Sequence, residues 1–86
     1  MTRAEILADL AASLPPLVTR VELQRATGGA IKVGTLANLD SRGEGPADRM
    51  TLCGKAVYPR AAAVAWIAAR LHSVEQEPPD AGSSEA

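Results

Sequence analysis

Residues 28–46 read GGAIKVGTLANLDSRGEGP, and the fold turns on this run. The paired glycines Gly28 and Gly29 open it as a turn, because glycine takes positive φ with no Cβ to clash. A short helical pattern follows from about Lys32 or Val33, with Ile31, Leu36 and Leu39 as its large apolar residues. It stops at Gly43, with Gly45-Pro46 directly behind. Immediately before the run, Thr19 to Ala26 reads as another short helix. Thr19 and Glu22 form a T-x-x-E helix start, Val21 and Leu23 supply apolar contacts, and Ala26 lets the turn come close. Two short helices joined by a glycine turn are the sequence form of a helix-turn-helix, whose second helix lies in a DNA major groove. The same arrangement also occurs as plain structure.

Working outward, Thr2 and Glu5 form a further T-x-x-E box, and Ile6, Leu7, Leu10 and Leu14 follow at helical spacing. Pro15-Pro16 ends that helix, since the residue before a proline is pushed to extended geometry. Its apolar stripe has two readings, a cover for a small core or a contact with a second copy. Leu17-Val18 is a short extended lead-in. On the other side, Met50–Cys53 and Ala56–Tyr58 are strand-like runs around Gly54-Lys55, which predicts a β-hairpin with Lys55 at its tip. Pro59 then introduces an alanine-rich helix over 61–72, with Val64, Ile67, Ala68 and Leu71 as its stripe, Trp66 in the core and His72 as a C-terminal cap. From Ser73 onward there is one aliphatic residue, two prolines and four acids, a composition that cannot bury enough surface to order itself.

Eighty-six residues make one domain at most, and such a chain buries only about 60% of its unfolded surface. The 47% apolar content is mostly Ala, Leu and Val, with no Phe, which favours helices. No run reaches the roughly 18–20 apolar residues of a membrane span, and the N-terminus, with Glu5 and Asp9, lacks a signal-peptide layout. The expectation is a cytoplasmic protein without membrane partners. The single cysteine, Cys53, can form neither an internal disulfide nor a thiolate cluster, so it reads as an ordinary reduced, part-buried thiol. No paired carboxylates, Cys/His pair or phosphate loop is present, so no enzyme activity, catalytic residue, metal or cofactor is expected.

The formal net charge of −1 conceals segregation. Residues 18–72 carry eight Lys/Arg against four Asp/Glu, whereas residues 73–86 carry four acids and no base. A basic body with an acidic tail is a modest electrostatic footprint for DNA, with the tail able to weaken non-specific binding. Within the body, Lys32, Thr35, Asn38 and Arg42 fall at steps of three, three and four and share one helix face. Two cations, a hydroxyl and an amide suit phosphates and base edges, although a solvated face has the same composition. Asp40 lies off this row, at the edge of any interface.

The run GTLANLDSRGEGP, the hairpin ending at Val57-Tyr58 and the Trp66-Ile67 pair together resemble the excisionase-type, AlpA-like helix-turn-helix proteins, winged-helix modules related to the MerR-type DNA-binding domain. Thr35-Leu36 with Gly43 and Pro46, and Tyr58 with Trp66 eight residues on, stand at that pattern's offsets, and Thr19 and Glu22 match its usual opening. The resemblance covers about Leu17 to Arg70. Where the family often has a serine capping the recognition helix, this chain has Lys32, and Asp40 replaces a basic or neutral residue.

The resulting expectation is a mainly α fold with a small β-hairpin: a winged helix-turn-helix over 17–72, an extra N-terminal helix over 1–16 and an acidic tail over 73–86. The resemblance implies a sequence-specific binder of double-stranded DNA, acting as an excisionase or a transcription regulator of a mobile element. A recombinase or integrase, or a second copy, would be a further partner. Phosphate contacts would come from Arg20, Arg42, Arg49, Lys55 and Arg60, and base contacts from Lys32, Thr35 and Asn38. The alternative is a protein-interaction module on the same scaffold, which Asp40, Asp48 and the low net charge favour.

Overall fold

The computed structural model describes residues 2–73. It is a mixed α/β arrangement of four helices and a three-stranded antiparallel sheet, in the order α1 (Arg3–Ser13), β1 (Leu17–Thr19), α2 (Arg20–Ala26), α3 (Val33–Ser41), β2 (Met50–Leu52), β3 (Lys55–Pro59) and α4 (Arg60–Arg70). The acidic tail expected over 73–86 lies outside the described residues apart from Ser73. No helix among the described residues is long and apolar enough to cross a membrane.

The sheet is larger than the expected hairpin. Leu17-Val18 is an edge strand, because Leu17, Val18 and Thr19 pair with Pro59, Tyr58 and Val57. The strand order β1-β3-β2 puts β3 in the middle, where Val57 and Tyr58 are buried. Cys53, exposed where the sequence suggested a part-buried thiol, and Gly54 form the two-residue connection between β2 and β3, with φ of 52° and 79°. Positive φ at both central residues is the type I′ turn, whose twist matches that of the strands it joins. Lys55 is therefore the first residue of β3, opposite Leu52, and not the tip.

The helix ends follow local chemistry. Thr2 and Glu5 complete a reciprocal capping box on α1, with bonds of 3.1 and 2.7 Å. Leu14 is extended before Pro15 and closes that helix. Thr19 accepts from the Glu22 amide at 3.2 Å, but the Glu22 carboxylate turns to Arg25 at 2.8 Å instead of completing a second box. Helices α2 and α3 end alike. Gly29 donates to Gln24 O and Gly28 to Arg25 O, while Glu44 donates to Leu39 O and Gly43 to Asp40 O. These are two Schellman motifs, each with a left-handed glycine, Gly28 or Gly43, just past the cap.

Val18, Leu23, Leu36 and Tyr58 are fully buried, and Leu14, Ala63, Trp66 and Ile67 complete the core. Burial of each large aliphatic side chain contributes about 1.5–3 kcal/mol. The indole of Trp66 donates to the Glu44 carbonyl at 3.0 Å, so its one polar atom is satisfied at the core boundary. Helix α1 packs on α4 through Leu7 and Leu10, yet none of its own residues is buried. It runs antiparallel to α4. Arg3 at its start donates to the Ala68 and Leu71 carbonyls at the end of α4, while Arg60 at the start of α4 donates to Leu14 O at 3.0 Å. Arg3, not His72, thus takes the free carbonyls of the last helix.

Candidate nucleic-acid interface

The outward side of α3 carries the row read from the sequence. Lys32, Thr35, Asn38 and Arg42 are all exposed, while Leu36 is buried. Lys32 is the N-cap but offers no capping side chain. Instead Gln24 of α2 reaches across, its Oε1 accepting from the Val33 amide at 2.9 Å. An acceptor from the preceding helix thereby satisfies the first amide of α3, whereas a serine at position 32 would take the second or third, and Lys32 stays exposed. Lys32 and Lys55 form no ion pair among the described residues. Arg42 approaches Glu44 at 3.5 Å with both side chains more than half exposed, a pairing that competes weakly against any other anion.

The hairpin and the start of α3 border one depression. Its volume is about 250 Å³, and its lining includes Arg20 and Val21 of α2, Val33 of α3 and Gly54-Lys55 of the hairpin. Val33 at the start of α3 and Lys55 at the base of the hairpin therefore border the same depression, and none of Lys32, Thr35, Asn38 or Arg42 lines it.

Asp40 is not at an interface edge. Its side chain is only 3% exposed, and Oδ2 accepts from Arg20 Nη2 at 2.8 Å, from Arg20 Nε at 3.3 Å and from the Tyr58 hydroxyl at 2.5 Å, with Arg49 Nη1 at 3.5 Å. Arg20 also donates to the Tyr58 oxygen at 3.2 Å. Burial by itself would raise the Asp40 carboxyl. The Tyr58 and Arg20 hydrogen bonds and the nearby cations outweigh it and hold the carboxyl below the usual carboxylate range. Burial, then donation to Asp40, pushes the Tyr58 hydroxyl above its ordinary value. The bonds to Asp40 and Tyr58 push the Arg20 guanidinium up.

The eight residues read from the sequence therefore separate. Lys32, Thr35, Asn38, Arg42 and Lys55 stand exposed around α3 and the hairpin. Arg20 is committed to Asp40 and is 25% exposed, and Arg49, 46% exposed, leans on the same carboxylate. Arg60 is spent on the Leu14 carbonyl, at the far end of β3 from Lys55. Sequence reading missed Asp40 and Tyr58 as a polar hub and Gln24 as a cap. A signal for Asp40 was there, since it follows Leu36 by four residues and so shares its inward face. For Gln24 no local pattern exists.

No protein-family model matches the chain, and no curated protein or solved structure does so either.

Proposed function

We propose that this chain binds double-stranded DNA as a winged helix-turn-helix of the excisionase type, with α3 as the recognition helix and the β2–β3 hairpin as the wing. Its role would be excision of, or transcription regulation in, a mobile element. The observation that carries this reading is the exposed row Lys32, Thr35, Asn38 and Arg42 on α3, free of acidic partners but for the weak contact to Glu44. Cations on a rim with an amide and a hydroxyl between them suit phosphate anchoring with base-edge contacts in the major groove. The test is fluorescence anisotropy with duplex DNA at two salt concentrations, comparing the wild type with the Lys32→Glu, Arg42→Glu double variant. Both positions are exposed, so circular dichroism should be unchanged while affinity is lost. Equal affinity in the double variant, or binding indifferent to salt, rejects the reading.

One observation favours the alternative, a protein-interaction module on this scaffold. Asp40 holds Arg20 and draws the exposed Arg49 toward itself, leaving about three cations without a close claim where phosphate binding would use more. Such a module keeps its partner and shows no salt-dependent DNA binding.

A further inference from the structure

A second concavity shares no lining residue with the depression beside the hairpin. It is an apolar groove of about 680 Å³ between α1, the turn joining α2 to α3, and α4. Ile6 and Leu10 line it from α1, Trp66, Ile67 and Leu71 from α4 and its end, and Ile31 from the turn. Two opposite charges stand among them. Asp9 on α1 pairs with no cation among the described residues. Arg70 on α4 stacks on the Trp66 ring at 4.2 Å and donates to the Glu44 carbonyl at 3.3 Å.

Helix α1 is incompletely covered. Ile6, Asp9, Leu10 and Ser13 stand at i, i+3, i+4 and i+7, which is one face, and that face lines the groove. Ile6 is 41% exposed, although it belongs to the stripe that should be buried. Ile6 and the part-exposed Leu10 are therefore apolar surface that a partner could cover.

We infer that the occupant is a second copy of this chain, seated about a twofold axis so that Ile6 and Leu10 of each copy enter the groove of the other. The charges favour this occupant. A twofold contact is self-complementary, since residue i of one copy meets residue j of the other and the reverse. A patch with one carboxylate and one guanidinium satisfies that rule with two equivalent Asp9–Arg70 pairs, whereas a patch of one sign repels its own copy. Because the groove and the hairpin depression have no residue in common, the inference stands whether or not the chain binds DNA.

Sedimentation equilibrium of the full chain from micromolar to millimolar concentration tests it. The expected result is a reversible monomer–dimer equilibrium. Ile6→Asp, at an exposed position, should raise the dimer dissociation constant about tenfold or more. Asp9→Arg should weaken the dimer by setting arginines against each other, and adding Arg70→Asp should restore it. Circular dichroism checks that each variant stays folded, and the charge exchange decides the matter if Ile6→Asp unfolds. A monomer at every concentration, or a dimer indifferent to all of these substitutions, overturns the assignment. So does a monomer that binds anilinonaphthalene sulfonate and loses that binding on Ile6→Asp, since the groove would then belong to a small apolar ligand.

Discussion

The Tyr58 hydroxyl, in the central strand, donates to Asp40 Oδ2 in α3 across 2.5 Å. With Arg20 on the same oxygen, one carboxylate fastens the start of α2, the end of α3 and the middle of the sheet. The orientation of α3 thus depends on a polar hub as well as on Leu36. Removing the carboxylate strands a buried hydroxyl and a partly buried guanidinium, so Asp40→Ala should cost about 2–3 kcal/mol. Tyr58→Phe leaves the Arg20–Asp40 pair in place and should cost about 1 kcal/mol. Urea denaturation measures both, and a smaller loss for Asp40→Ala than for Tyr58→Phe would contradict this ranking.

The same hub gives an acid limit. The Asp40 carboxyl titrates lower in the folded chain than in the unfolded one, so as pH falls the unfolded state takes up its proton first. The contribution is complete above the unfolded value, about pH 4, and is lost as pH drops through the folded value. Thermal melts should show the wild type losing stability below about pH 4 more steeply than Asp40→Asn, which has no proton to gain there.

Two glycines should answer the same substitution with opposite signs. A Cβ on Gly45 would run into Asp40 Oδ1, with the Asp40 backbone close behind, so Gly45→Ala must displace the hub carboxylate. A loss of about 1–3 kcal/mol is expected. Gly34 sits inside α3 with nothing near its missing Cβ, and Gly34→Ala should gain about 0.5–1 kcal/mol from helix propensity. Chemical denaturation of the two variants checks the signs.

Local chemistry was legible in the sequence, and pairing across distance was not. The Thr2-Glu5 box, the Thr19 cap and the stops at Gly28 and Gly43 each depend on residues within a few positions, and all stand where their spacing put them. The hairpin was readable from its turn, although the residue at the tip was misplaced by one or two. Leu17-Val18 was legible as extended, but its pairing into the sheet was not, because three residues carry no periodicity and their partners lie some forty residues on. The candidate site divided along the same line. The exposed row on α3 follows from helical spacing, whereas the capture of Arg20, Arg49 and Arg60 needs acceptors brought in by the fold.

That capture changes the expected salt dependence of DNA binding. Of the five phosphate-contacting cations expected from the sequence, Arg42 and Lys55 remain free or nearly so, and Lys32, read there as a base contact, is a third exposed cation within reach of phosphate. By the rule of about −0.9 per phosphate contact, log K should fall against log salt with a slope near −2.7. Lys32→Ala and Lys55→Ala should each flatten it by about 0.9. Arg60→Ala should leave the slope alone and lower the melting temperature, because its guanidinium serves the Leu14 carbonyl. Titrations across a salt series separate these outcomes.

Helix α1 has no buried residue and is tied down by α4 and the long-range bonds of Arg3, while β3 and α4 own most of the core. Opening α1 alone therefore uncovers little apolar surface, and its amides should exchange with deuterium well before those of Tyr58 or Trp66. A second copy lying in the groove would slow that exchange as protein concentration rises. The least protected helix of the single chain would then become a gauge of its self-association.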